Sequence, residues 1–566
     1  MAGEVSTWVA DASCFVARVC RDLRIAEILN RMLRWDKKQC KVSPGTRIVA
    51  LIVNILVHRR PLYLVREFYE AMDLSVLFDE PVSAADLNDD ALGRALDRLY
   101  EANSQLCFQT IAATAITRGH LEVRSVHADT TSVPLYGEFE PTKGDLAFQE
   151  AHPDRPLLEI TYGHSKQHRP DLKQFLYGLV VSKEGVPLLG DVNNGNMSDK
   201  TWNRQTIDEI KTSMLDPKRL IDVADSVLIT EDNLEDMAKA HMRFISRLPE
   251  TYKLAHELKE RAWESGRWQE IGPLRGGPEA ARYATQSFQT TLYGRSYRFL
   301  VVRSSSLDKR KMKKIERMVG KERLSLEKEA AQLARQRFAC EADARQALCR
   351  FLEAHRGVLH RLTGDIHAEE TVRRPPGRPR KDVTSPVEIT YTVQVRVDAP
   401  VPRVLQELRE RESTFVLITT LPEDEWSDAA VLHEYKEQQS VEQRFRFLRQ
   451  PVLVDGIYVK SSRRAEALAY VFLMALFVAA FIEMKIRREL QRTRSCVELP
   501  GKRLTNRSTI RAILDVLSTI QVVRIQTDQG VIRTLPSNTD RRALRILELA
   551  GYNSAIYTQP CTEAVC

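Results

Sequence analysis

The sequence predicts an α/β protein, a mixed core interrupted by an inserted subdomain and flanked by helical regions at both ends. Three observations lead there. Apolar strand-like runs end at Asp129 ("LEVRSVHADTTSV") and near Asp225 ("RLIDVADSVLI"), and a capped helix follows the second. A differently composed stretch from about 240 to 410 separates them from the strand-like "TFVLITTL" and an uncharged run at 467–482. Helical periodicity dominates residues 1–118 and recurs at 508–519 and 540–550.

In chain order, "VSPGTRIVALIVNILV" opens a helix with Ser43 as N-cap and Pro44 at the first helical position. "LNDDALGRALDRLYEA" places Leu92, Leu96 and Leu99 on one helical face. Arg47, Arg59, Arg60 and Arg66 leave DNA binding open beside a plain helical scaffold. "FLYGLVVSKEGVPLLGDV" reads as a hairpin, strands 175–182 and 186–192 around Lys183-Glu184-Gly185. Thr230 caps a helix with acids in its first turn.

The block at 240–410 contains a hairpin turning at Gly294, a long charged helix ("DKRKMKKIERMVGKERLSLEKEAAQLARQRF") and an alternating strand, "EITYTVQVRVD". It reads as an insertion. Between that helix and that strand lies "RRPPGRPRK" (373–381), whose Pro and Gly exclude helix and central strand. It is either a solvated basic linker or an AT-hook-like segment laying Arg378, with Arg380 beside it, into a narrow minor groove. The domain reading is 1–118 helical, 119–239 first part of the core, 240–410 insertion, 411–485 second part of the core and 486–566 basic and helical.

Composition narrows the classes. The 566 residues are 43% apolar, enough for packed cores, and the net charge of +8 suits a polyanionic partner. Nine cysteines without a CxxC pair argue against a disulfide framework or zinc ribbon and for a reducing, cytoplasmic compartment. The N-terminus has no basic-then-apolar signal pattern. The uncharged run 467–482 is shorter than the ~20 residues of a spanning helix, so it reads as a buried core helix, with no membrane.

Three carboxylates stand out. Asp129 and Asp225 sit at strand ends, where α/β sheets bind ligands. Glu442 lies in "EYKEQQSVEQRFRFLR" (434–449), which reads as one helix. At about 100° per residue, Tyr435, Gln438, Glu442, Arg446 and Arg449 fall within roughly 80° of arc, beside an apolar stripe of Val441, Phe445 and Leu448. Alone, such a charged face is usually only solvated.

This stretch resembles the tyrosine–arginine–glutamate–lysine signature of bacterial insertion-sequence transposases of the DDE class. Tyr435, Gln438, Glu442 and Arg449 stand at its spacing, with Gln438 replacing the Arg and Arg449 the Lys. "VHADTTSV" and "DVADSVLITEDNL" resemble the first and second aspartate strands of that family. "YGHSKQHRPDLKQFLYGLVVSKEGVPL" and "GNMSDK" resemble the stretch between them. The resemblance covers most of 119–485. It implies a ribonuclease H-like core with a mainly β insertion, which the gap of 217 residues between Asp225 and Glu442 accommodates. Asp222 neighbours Asp225, but the family context matches Asp225.

The implied activity is metal-dependent cleavage at the ends of an insertion sequence and strand transfer into target DNA. Asp129, Asp225 and Glu442 would hold Mg²⁺, with Mn²⁺ as substitute, because three carboxylates suit hard cations and repel one another without one. By resemblance, Tyr435, Gln438, Arg446 and Arg449 would contact DNA. Lys166, His168 and Arg169 would either face DNA or form a loop salt bridge. The implied partners are double-stranded DNA and a second copy in the DNA complex. A non-catalytic DNA-binding relative and a nuclease that cuts without joining remain as alternatives.

Overall fold

The computed structural model describes residues 4–212, 218–274, 280–307, 309–372, 387–448 and 461–561. The chain divides into two compact units. One comprises Met1–Arg247, Thr419–Trp426 and Ala430–Cys566, the other Leu248–Ile418 with Ser427–Ala429.

The first unit opens with strand β1 (Glu4–Val9) and helices α1 (Ser13–Asp22), α2 (Ile25–Met32), α3 (Pro44–Val57), α4 (Val65–Glu70), α5 (Asp89–Glu101) and α6 (Ser104–Thr117). Ser43 accepts a hydrogen bond from the Thr46 amide and Pro44 occupies the first turn, so α3 starts where its cap chemistry dictates. Nearly all of α3 is buried, as its unbroken apolar run requires.

The sheet follows: β2 (Ser125–Leu135), α7 (Lys143–Ala151), β3 (Lys173–Ser182), β4 (Pro187–Asn194), α8 (Asp199–Thr212), β5 (Ile221–Ala224), α9 (Glu231–Lys239) and β6 (Arg243–Arg247). In this unit the strands lie in the order β4–β3–β2–β5–β6. The first three form an antiparallel meander, and β5 and β6 continue parallel to β2 through helical crossovers. The central strand β2 is buried along its length except at Asp129 and Pro134, which are half-buried. The β3–β4 turn has Gly185 at φ +81 and a Gly185 N–H to Ser182 C=O bond of 2.7 Å, the geometry of a three-residue hairpin loop.

Toward the C-terminus come α14 (Asp428–Lys436), α15 (Gln439–Leu448) and a 31-residue helix, Ser462–Arg492. The last is the one described helix long and apolar enough to cross a membrane, and its apolar window is entirely buried in the protein. It is a core helix, fixed by the Tyr177 hydroxyl donating to the Ala469 carbonyl at 3.0 Å and by Leu473 packed on Gly190. Beyond it the region expected to be helical contains helices at Ile510–Leu517 and Arg541–Leu549. It also contains the strand pair Val497–Leu499 and Arg503–Thr505, and a hairpin of Gln521–Thr527 and Gly530–Thr534. β1 pairs antiparallel with Gln521–Thr527, joining the two ends of the chain.

The second unit holds α10 (Lys253–Ser265), β7 (Gln269–Pro273), β8 (Arg282–Leu292), β9 (Arg295–Ser304), α11 (Lys309–Ala334), α12 (Glu341–Ala354), β10 (His360–Val372), β11 (Val387–Pro400), α13 (Pro402–Ser413) and β12 (Phe415–Thr419). The expected mainly β insertion thus carries four helices beside its strands. β7, β8 and β9 form an antiparallel meander. β10 and β11 form a separate two-stranded ribbon, closed against α11 and α12 by Leu333, Ala344, Leu348 and Val393. The basic stretch with Arg378 and Arg380 lies outside the described residues, between Val372 and Val387, which pair with each other.

Candidate active site

Ala128 on β2 pairs with Ala224 on β5, and the next residues are Asp129 and Asp225. Asp225 is still extended, at φ −74 and ψ 178. In parallel neighbours, residues at one register share a face, about 4.8 Å apart. The two carboxylates therefore leave the sheet together where the parallel β2–β5 pairing ends; Asp129 is not at a strand end as expected, since β2 continues along β3 to Leu135. Asp222 stands opposite Val126, one step out of phase, and so faces the other way. It is buried, one of its oxygens has no hydrogen-bond partner, and burial pushes its carboxyl up to about 7.

The face shared by Ser125, His127 and Asp129 lies against α14. The Ser125 hydroxyl donates to Glu434, and His127 Nε2 lies 3.8 Å from the same carboxylate. Burial pulls the His127 pKa down to about 4, so it is neutral at pH 7 and the counter-charge of Glu434 comes from Lys183, at 2.7 Å. Burial raises the Glu434 pKa, but the bonds from Lys183 and Ser125 outweigh it and hold the carboxyl below its ordinary value.

Burial pushes Asp129 up to about 7, helped by the negative charges of Asp225 and Asp199 and opposed by Lys166. Asp225 is raised by burial too, against the Val227 amide and Lys166. About 30% of the Asp129 side chain remains open to solvent. Lys166 reaches Asp199 at 3.0 Å and Asp129 at 3.9 Å, and also bonds the Thr130 carbonyl and hydroxyl. The loop ion pair considered for Lys166 is therefore formed, and with a residue the sequence reading passed over. Asp199 begins α8 and accepts from Thr130. It lies within "GNMSDK", so the segment was noticed but not its carboxylate. Glu434 left no sequence signal, since its partners are 309 and 251 residues away.

The stretch 434–449 is not one helix. α14 ends at Lys436, Glu437 and Gln438 form a turn, and α15 begins at Gln439. The Gln438 amide bonds the Tyr435 carbonyl, an i−3 closure that tightens the chain there. The single-helix arc of 80° does not apply across this junction. α14 is pinned through Glu434, whereas α15 is pinned through buried Arg444, Phe445, Phe447 and Leu448. The side chain of Val441 lies outside the described residues, as does Arg449.

Tyr435 is nonetheless close to both acids: burial, Asp225 and Glu442 raise its hydroxyl pKa, opposed by Arg247 at the end of β6. Glu442 occupies the first turn of α15 and is exposed, as is Arg446; Gln438 is half-buried. Arg169 is exposed and paired with Asp171 at 2.7 Å, with its guanidinium 5.7 Å from the Tyr136 ring. His168 adopts φ +58 in the same loop.

Carboxylate oxygens at a sheet rim suit Mg²⁺ or Mn²⁺ in chemistry, and the mutual repulsion of Asp129 and Asp225 is what such a cation relieves. Among the described residues, no three His, Cys, Asp or Glu side chains stand close enough to hold one ion as they lie.

Compared with known families, residues 7–113 match the domain described as "Domain of unknown function (DUF4277)", which covers the helices from α1 to most of α6. No curated protein matches the chain.

Proposed function

We propose that this chain is a DDE-class DNA transposase, which cleaves DNA at the ends of an insertion sequence and joins the freed 3′-OH to target DNA. The observation that carries this reading is the shared register of Asp129 and Asp225 on a face met by the α14–α15 junction with Tyr435 and Glu442. An antiparallel meander extended by two parallel strands, with a helix in each crossover, supports a ribonuclease H-like core. A separate compact unit between Asp225 and Glu442 supports an insertion into it.

Asp129, Asp225 and Glu442 would hold Mg²⁺, which when bound supplies charge stabilisation at the scissile phosphate and lowers the cost of deprotonating the attacking oxygen. Lys166 neutralises the aspartates while DNA is absent. Tyr435, Gln438, Arg446 and Arg449 would grip the phosphates flanking the scissile bond. Arg378 and Arg380 would add backbone or minor-groove contact.

The test is cleavage of DNA carrying the native flanking ends, in Mg²⁺ and in EDTA. Asp129→Ala, Asp225→Ala and Glu442→Ala should each retain end binding and lose Mg²⁺-dependent cutting. Normal cutting by Glu442→Ala would sink the assignment. Cutting without joining in a strand-transfer assay would identify a nuclease instead.

A further inference from the structure

Three consecutive residues of the β3–β4 turn each bind a different helix. Lys183 donates to Glu434 of α14 at 2.7 Å. The Gly185 carbonyl accepts from Arg444 Nε of α15 at 2.6 Å. Glu184 accepts two bonds from Arg488 of the Ser462–Arg492 helix, both 2.6 Å. Glu434 immediately precedes Tyr435, and Arg444 is two residues beyond Glu442. Arg444 is buried and also donates to buried Glu483 at 2.7 Å.

We propose that the Lys183-Glu184-Gly185 turn is a positioning clamp. It fixes the α14–α15 junction to the core helix and so sets where Tyr435 and Glu442 stand relative to Asp129 and Asp225. The significance of those four residues rests on the transposase reading; the clamp itself does not. Two helices meeting at a turn where i−4 bonding gives way to i−3 closures at Glu437 and Gln438 have a softer angle between them than a continuous helix has. Here each helix is held within a few residues of its functional side chain by a charge-assisted or buried bond to one rigid hairpin. The clamp also has a steric lock. A Cβ on Gly185 would lie 2.8 Å from Arg444 Nη2 and 2.9 Å from Nε, and φ +81 disfavours any other residue. His127 does not share the anchoring, since its Nε2 stands 3.8 Å from Glu434, beyond hydrogen-bond reach.

The experiment is hydrogen exchange on the full chain, comparing wild type with Lys183→Met, Lys183→Arg and Gly185→Ala. Asp97→Asn, which breaks the ion pair with Arg464, serves as a control for general loosening. Amides across 431–448 should exchange on the order of tenfold faster in Lys183→Met and Gly185→Ala, as expected when a bond to a charged group is lost. β2 and the Ser462–Arg492 helix should stay as protected as in wild type, and Lys183→Arg should restore much of the protection. Unchanged exchange in 431–448, or an equal rise in the core helix, overturns the clamp. Cleavage of end DNA is read in parallel: kcat should fall in Lys183→Met with end-DNA affinity unchanged. A wild-type protein that never cleaves would overturn the transposase reading and leave the exchange result to judge the clamp.

Discussion

Asp129 and Asp225 extend one register pair, Ala128 opposite Ala224, so two carboxylates leave adjacent parallel strands side by side. Burial raises both pKa values, with the charges of Asp225 and Asp199 adding to the rise at Asp129, to about 7, and that of Asp199 at Asp225. A folded-state value above the 3.8 of the free side chain means the native protein binds this proton more tightly than the unfolded chain. The metal-free protein should therefore lose stability as pH rises from about 4 to about 7. Asp129→Asn should make that slope shallower, with Asp222 and Glu209 carrying the remainder, and raise the metal-free melting temperature at pH 7.5, while cleavage drops to its level in EDTA. Melting curves at several pH values check the first part. A slope as steep in the variant as in wild type would show that Asp129 does not titrate in this window.

Lys166 is the cation that stands among these acids, 3.0 Å from Asp199 and 3.9 Å from Asp129. Lys166→Met should destabilise the metal-free protein by about 1–3 kcal/mol, the cost of leaving partly buried charge uncompensated. Mg²⁺ should then recover more stability in the variant than in wild type, because it relieves a larger repulsion. The measurement is the Mg²⁺-induced shift in melting temperature for each protein. Equal shifts would mean that Lys166 does not act on the acids that Mg²⁺ reaches.

What the sequence displayed was local chemistry. Ser43 and Thr230 marked helix starts because a cap bonds within three residues, and Gly185 marked a hairpin because its φ is positive. The strand before Asp225 was visible as an apolar run, but the end expected at Asp129 is not there: β2 runs on to Leu135, because pairing with β3 carries its polar residues through the sheet. The α14–α15 break was invisible: 434–449 contains neither Gly nor Pro, and what divides it is anchoring to Lys183, Gly185 and Ser125, far away in sequence. β10, "HRLTGDIHAEETV", was missed because an exposed ribbon does not need the apolar alternation that betrays a half-buried strand. For the proposed site, the carboxylates were named from the sequence, whereas the contacts around them, from Asp199 and Glu434, are with residues distant in the chain and left no local pattern.

A second carboxylate pair lies away from the proposed site. Gln105 joins Asp191 on β4 to Glu209 on α8, donating to both, at 2.5 and 2.7 Å. Burial raises both pKa values, that of Glu209 to about 8, with the Asp191 charge as the second cause. Here too the raised value means that protonation favours the fold, so stability present at low pH is lost as pH rises toward about 8. Wild type should lose a few degrees of melting temperature between pH 6 and pH 9, and Glu209→Gln should lose less. Parallel pH profiles for the two proteins would reveal a different titrating group.

Gly178 lies opposite Thr130 on β2, and Trp202 of α8 packs directly on it. A Cβ at 178 would stand 1.9 Å from the indole Nε1 and 2.3 Å from Cε2, too close for any rotamer adjustment by a buried ring. Gly178→Ala must push α8 away from the sheet, at about 1–3 kcal/mol for an overpacked core. The displacement would also strain the Trp202 bond to Asp191, now 3.0 Å, and the reach of Asp199 at the start of the same helix to Thr130. Trp202→Phe removes the clashing nitrogen and part of the ring, at the expense of the bond to Asp191. The double variant should therefore be more stable than the sum of the single losses predicts, by about 0.5 kcal/mol or more. Thermal melting of all four proteins measures this coupling. Strict additivity would show that Trp202 is not what limits residue 178 to glycine.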